Sequence, residues 1–167
     1  IALPADQQET APEFTHYAAA DLPQWDADGV RFRLIMGELA GRSSPVKTFS
    51  RTLYADLSFD AGGQAELEIT ERELAIYVAE GELQIDNEPV PAGVMVVLGG
   101  DGSVPVRASD ATRALLIGGD PLGERYMFWN FVSDSPERIE QAKQDWRDGN
   151  FAPVPDDDEF IPLPGEE

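Results

Sequence analysis

From Val30 onward apolar and polar residues trade places every second position. Val30, Phe32, Leu34 and Met36 alternate with Arg31, Arg33 and Ile35, and Leu53, Ala55, Leu57 and Phe59 with Tyr54, Asp56 and Ser58. Ala65, Leu67 and Ile69 then alternate with Gln64, Glu66 and Glu68. Such a period predicts strands with one dry face. Leu74 to Ala79 reads as a more buried strand, Glu80-Gly81 as a tight hairpin turn, and Leu83 and Ile85 as the return strand. Further turns are expected at Gly41–Pro45, Asp60–Gly63, Pro89–Gly93 and Gly99–Gly102, with an apolar run from Val94 to Leu98. Val104 and Val106 are expected to pair with Arg113, Leu115 and Ile117 across a Ser109-Asp110 turn.

Short strands at this spacing, broken by Gly, Pro and Asp, predict an all-β fold, a double-stranded β-barrel or sandwich of jelly-roll type. The pattern changes near the end. After an aromatic strand closing at Val132, Ser135 suits an N-cap, Pro136 the first helical position and Glu137 the positive end of the macrodipole. Ile139, Ala142 and Trp146 share a face, and Gly149 can end the helix. The expected helix covers 136–148. Phe151, Phe160, Ile161 and Leu163 are too apolar for a free tail and should dock. The expected organisation is a linker-like arm over 1–28, a barrel over 29–120, and a closing strand, helix and docked tail over 121–167.

The chain has 167 residues, long enough for one sizeable core. Its 32 acidic and 12 basic residues give a net charge of −20. That field disfavours nucleic acid and anionic membrane surfaces and favours solubility. With no cysteine, disulfides, thiolate metal sites and cysteine nucleophiles are excluded. No window is apolar enough for a membrane span and no secretory leader is recognisable, so a cytoplasmic location is expected.

Candidate chemistry is sparse. His16, in the arm, is the only histidine, and one imidazole cannot build a metal site of three or four ligands. Glu66, Glu68, Glu71, Glu73 and Glu82 could hold a hard cation only if their oxygens converged, and the alternation puts Glu66 and Glu68 on a solvated face. Tyr54, Tyr77, Met95 and Trp129 could line an apolar cavity, although such side chains are more often plain core. There is no Gly-rich phosphate loop, serine nucleophile motif or acid–base pair.

The Pro91-Ala-Gly93 turn and Gly81 resemble the turns of cupins, a metal-binding jelly-roll family. Val96 stands where a cupin histidine would follow the Pro-x-Gly turn, and the segment Glu68–Leu74 contains no histidine. More specifically, the chain resembles the C-terminal cupin domain of pirin-like proteins, which are two-domain cupins. Ala2-Leu-Pro4 and Pro12–His16 resemble the inter-domain segment. Ser44-Pro-Val46, Ala75–Gly81 and Gly118–Leu122 resemble the second barrel. Trp129-Asn-Phe-Val132, Glu137–Trp146 and Phe160–Pro164 are the most specific matches. The resemblance implies a first barrel holding iron or another divalent metal through three histidines and a glutamate. In some members that barrel is linked to quercetin 2,3-dioxygenase activity, in others to transcriptional co-regulation. No position here matches those ligands, so no catalytic, cofactor or metal residue carries over. The expectation is a metal-free domain supporting and partly covering a metal-bearing N-terminal cupin domain, in a fragment or processed form of a longer protein. The alternatives are part of a quercetin 2,3-dioxygenase-type enzyme, or a small-ligand or protein-interaction module. Homo-oligomerisation through an uncovered apolar surface is also expected.

Overall fold

A computed structural model describes residues 2–69, 73–99, 102–153, 155–156 and 159–166. Glu71 and part of the expected Gly99–Gly102 turn therefore lie outside the described residues. Two compact units emerge: Pro12–Pro121, and Ile1–Ala11 together with Leu122–Glu167.

The larger unit is built of strands β1 (Gln24–Ala27), β2 (Val30–Met36), β3 (Glu38–Leu39), β4 (Arg42–Ser43), β5 (Thr52–Phe59), β6 (Gln64–Ile69), β7 (Glu73–Glu80), β8 (Glu82–Ile85), β9 (Glu88–Pro91), β10 (Met95–Leu98), β11 (Gly102–Ala108) and β12 (Thr112–Gly119). A six-stranded sheet has the order β1-β2-β5-β12-β7-β10 and a four-stranded sheet the order β6-β11-β8-β9. One apolar core draws on both sheets: Leu34, Leu57, Ile76 and Leu116 from the first, Leu67, Leu83 and Val106 from the second. This is a jelly roll of two sheets rather than one barrel ladder closed all the way round.

The topology corrects three local readings. Glu80-Gly81 is not a hairpin turn, because β7 pairs with β12 and β10 while β8 pairs with β11 and β9. Gly81 is a corner between sheets, with φ 78° and a backbone so close to Ala111 and Thr112 that a Cβ would overlap them. Thr112 Oγ1 clasps this corner, donating to Glu82 O or Asp110 O (3.1 and 3.0 Å) and accepting from Glu82 N (3.4 Å). Nor do β11 and β12 pair across Ser109-Asp110, for β11 lies between β6 and β8 and β12 between β5 and β7. The tight hairpin is instead β8–β9, whose Asp86 and Asn87 both take positive φ (50° and 66°) as a type I′ turn requires. Strand β9 thus occupies positions where a turn was expected.

Two smaller differences matter for the surface. Gln24–Ala27, inside the expected arm, is an edge strand, anchored where Trp25 stacks on Phe32 with centroids 4.9 Å apart. A bulge after Leu34 pairs Met36, not Ile35, with Tyr54, so Met36 leaves the core parity of Val30, Phe32 and Leu34. Ser44 Oγ donates to the Ile35 carbonyl at 2.6 Å, holding the bulge.

The second unit carries the aromatic hairpin β13 (Tyr126–Phe128) and β14 (Phe131–Ser133), then α1 (Pro136–Arg147). Ser135 caps the helix by accepting from Arg138 N at 3.2 Å, Pro136 occupies the first turn, and Gly149 follows with φ 69°. Ile139 and Ala142 are buried, while Trp146 meets Trp129, Phe131, Phe151 and Phe160 in one aromatic cluster. The tail docks here only in part: Trp146 Nε1 donates to Ile161 O (2.9 Å) and Leu163 is buried, while Phe151, Phe160 and Ile161 remain exposed. Arg125 draws in the N-terminal segment by donating to Leu3 O (2.9 Å), and Arg138 pairs with Glu9.

Arg147 grips Glu166 through Nε at 3.0 Å. Hydrogen bonds from Arg147 hold the Glu166 carboxyl below its ordinary value of 4.5, against a smaller opposing effect of burial. Because the folded pKa is the lower one, the stabilisation is present above 4.5 and lost as pH falls through the folded value. Glu166→Gln should therefore lower the melting temperature at neutral pH. The gap to the unsubstituted chain should close on acidification through that window, and a gap independent of pH would contradict the assignment.

Candidate functional site

The interior of the jelly roll is the place to look for a metal, and the donor set is wrong. Leu34, Leu53, Leu57, Leu74, Ile76 and Leu116 are each no more than 1% exposed there. Val96, at the position of the histidine after the Pro91-Ala-Gly93 turn, pairs with Ile76 and packs against this core. Aliphatic side chains in native packing have neither lone pairs for a metal nor room for one. A metal of the cupin kind does not fit these residues. Among the described residues no three His, Asp or Glu side chains converge to hold a metal ion. Glu66 accepts from Ser103 Oγ at 2.6 Å, Glu68 sits opposite Ser103, and Glu66, Glu68, Glu73 and Glu82 lie at the surface. His16 is exposed as well.

The aromatic and thioether candidates divide between the two units. Tyr54, Tyr77 and Met95 stand on the outward face of the six-stranded sheet, at the parity opposite to the core. Two of the cross-strand rows on that face hold these residues. One runs Met36–Tyr54–Ile117–Ala75–Val97 and the other Arg33–Asp56–Leu115–Tyr77–Met95. Val97 is 73% and Met95 54% exposed, on edge strand β10. Trp129 belongs to the second unit, in the turn between β13 and β14 with φ 50°, 5.1 Å from the Trp146 ring.

A charged clamp lies on the same outward face. Asp56, only 9% exposed, receives Arg113 Nε and Nη2 at 3.0 Å each. The hydrogen bonds and charge of Asp56 raise the Arg113 pKa further above its ordinary value. A buried carboxylate whose two oxygens are both taken by a guanidinium fork is a structural pair.

A separate cavity of about 500 Å³ opens in the larger unit, lined by Gly37, Glu38 and the run from Thr48 to Thr52. None of the four aromatic and thioether candidates lines it. A signal for it exists in the sequence: no acidic residue falls between Glu38 and Asp56, although acidic residues make up 32 of 167, and Arg42, Lys47 and Arg51 lie in that interval.

The two-sheet jelly roll is a domain of the cupin fold. The chain belongs to the pirin family, matching the Pirin C-terminal cupin domain over residues 54–152. It is 39% identical over 166 residues to a pirin-like protein of Caulobacter vibrioides, covering 98% of this chain and 58% of that protein. Pirin-1 of Arabidopsis thaliana is 30% identical over 156 residues, covering 88% of this chain and 54% of the relative. Among solved structures, quercetin 2,3-dioxygenase from Acinetobacter baumannii superposes with a TM-score of 0.89 at 27% identity, over 98% of this chain and 56% of the other. The chain thus spans little more than half the length of the proteins it matches. No helix of the described residues is long and apolar enough to cross a membrane.

Proposed function

We propose that this chain is the metal-free C-terminal cupin domain of a two-domain pirin-type protein, supporting and partly covering a metal-bearing N-terminal cupin domain. The observation that carries this reading is the interior: where a catalytic cupin needs imidazoles and a carboxylate, this one has leucine, isoleucine and valine at full packing. The outward face supplies the complementary half: beside the Asp56–Arg113 pair, its part from Tyr54, Ile117 and Leu115 to Met95 and Val97 is apolar and suited to cover by another domain. The metal, iron or another divalent ion, belongs to that other domain and so does the chemistry. Second copies of the chain could use the same face when the N-terminal domain is lacking, giving a homo-oligomer.

Metal analysis of the purified chain, after chelation of loosely held ions, tests the reading. No stoichiometric iron, manganese, copper or zinc is expected. One tightly held ion per chain would overturn it and turn attention to His16 and the surface glutamates.

A second reading has its own support. The superposition on a quercetin 2,3-dioxygenase favours a parent protein that opens a flavonol ring with oxygen, this domain shaping access to the other domain's metal. Quercetin turnover by the full-length, iron-loaded parent is then expected, and its absence would remove the enzyme reading while leaving the supporting role intact.

A further inference from the structure

The two large sheets end in four edges, β1 and β10 in one, β6 and β9 in the other. An open edge is a row of unpaired N–H and C=O groups, which proteins guard with charge or proline. We infer that the outer edge of β10 is a self-pairing surface. A second copy of this chain adds its own β10 there, antiparallel, and the two six-stranded sheets become one. This goes beyond the supporting role and does not rest on it, because the contact is a backbone edge rather than the outward side-chain face.

The four edges differ in protection. Strand β9 carries Pro89 and Pro91, alternate residues with no N–H to offer. Strand β6 carries Glu66 and Glu68, both exposed. Strand β1 follows Pro23 and holds Asp26, whose side chain is 70% exposed beside Arg31. Strand β10 is Met95-Val-Val-Leu98, with neither charge nor proline. It lies in the longest stretch of the chain without Asp, Glu, Lys or Arg, the twelve residues from Pro89 to Gly100. Two copies of net charge −20 repel wherever carboxylates face each other, so a neutral strand is where they can meet.

The ladder decides which backbone groups are free. Val78 N donates to Val94 O at 3.0 Å. Met95 then stands opposite Tyr77, Val96 opposite Ile76 and Leu98 opposite Leu74. Antiparallel bonding alternates, so Val96 and Leu98 bond to β7 while Met95 and Val97 turn their N–H and C=O to the outer edge. Such an edge matches itself. With a two-fold axis at Val96, Met95 of each copy lies opposite Val97 of the other, and each of these two pairs exchanges two N–H···O=C bonds. The same register sets Met95 beside the other copy's Val97 on the outward face, so side chains 54% and 73% exposed cover one another. Among these four edges only one is unguarded, so pairing closes at a two-fold dimer instead of running on into a fibre.

The contact is short, because β10 has only 4 residues. The dimer is therefore weak and forms at high chain concentration. Added salt tightens it, since screening relieves the mutual repulsion of two acidic chains and leaves backbone bonds intact.

The test is sedimentation of the chain from about 10 μM to about 1 mM, with amide hydrogen exchange read by NMR at both ends of that range. A reversible dimer is expected, tightening as salt rises from about 0.05 to about 0.5 M. In the dilute chain the Val96 and Leu98 amides should be protected and those of Met95 and Val97 should exchange freely. In the concentrated chain exchange at Met95 and Val97 should slow about threefold or more, with no change at Val96 and Leu98. Val97→Pro removes an N–H aimed out of the sheet and spares the β7 ladder, so it should weaken the dimer about tenfold or more. Ile117→Lys charges the outward face two strands away and should leave the dimer intact. The exchange pattern belongs to the unsubstituted chain, so it decides the matter even where proline lowers stability. A monomer at every concentration, equal slowing at all four amides, or a dimer lost with Ile117→Lys and kept with Val97→Pro would overturn the proposal. So would protection of Met95 and Val97 that requires the N-terminal cupin domain, which would then be the partner of this edge. None of these outcomes bears on the metal analysis, so the two readings fail separately.

Discussion

Replacing Gly81 with alanine is expected to cost about 2–5 kcal/mol of stability, one of the largest single-methyl effects available in this chain. Two contributions add. The left-handed backbone at φ 78° costs a residue with a Cβ about 1–2 kcal/mol. The new methyl would also sit 2.5 Å from Thr112 Oγ1 and 2.9 Å from Ala111 O, and forcing extra volume into such a contact costs about 1–3 kcal/mol. Gly62 isolates the first contribution, having φ 79° and open space, with nothing within 4 Å, where an added Cβ would stand. In urea denaturation Gly81→Ala should lose distinctly more than Gly62→Ala. Equal losses would mean that the corner is not tightly packed and that the clasp by Thr112 is incidental.

That corner also shows where the sequence stops being legible. Alternation reveals that β7 and β8 are strands, and which of their side chains face a core, because side-chain parity is a property of the chain itself. It does not reveal which strand lies beside which. Glu80-Gly81 and Ser109-Asp110 have the residues of hairpin turns, yet both carry the chain from one sheet to the other. What decides between hairpin and corner is the packing around the glycine, here Ala111 and Thr112, far along the chain. The Met36 bulge failed to show for a similar reason, being fixed by Ser44 and by the register against Tyr54 rather than by its own segment. The helix was legible almost to the residue because cap, first-turn proline, apolar face and terminal glycine are all local.

The candidate site was less legible, although part of its signal was present. Tyr54 stands between buried Leu53 and Ala55, and Tyr77 between buried Ile76 and Val78. Parity alone thus puts both on the face away from the core, and residue type drew attention to them while position said outward. The Thr48–Thr52 loop has no periodicity to read, and only the acid-free interval marks it. The missing metal ligands needed no structure, since a chain with one histidine and no cysteine cannot assemble the cupin set.

The outward face carries the second large effect. Met95→Lys with Val97→Lys should leave the stability of this chain nearly unchanged, because both side chains are mostly in solvent on an edge strand. Its effect should appear in association. Fully burying a side chain of this size is worth about 1.5–3 kcal/mol, and with 54% of Met95 and 73% of Val97 still to be covered, the pair contributes about 2–4 kcal/mol to a covered interface. Affinity for the N-terminal cupin domain supplied in trans should then fall roughly 30- to 1,000-fold. Two added lysines would also leave charge buried at the contact, which makes the lower end of that range the conservative one. The edge position sharpens the test, because the outer edge of β10, at the end of the sheet, offers backbone groups as well as side chains, and lysine is a residue that natural edge strands use against unwanted pairing. If the variant lost self-association but kept its affinity for the other domain, the face would serve copies of this chain, and the supporting surface would have to be sought elsewhere on the jelly roll. If neither association changed, the apolar rows from Tyr54 to Val97 would not be an interface at all, and the filled interior would stand alone as evidence for a supporting role.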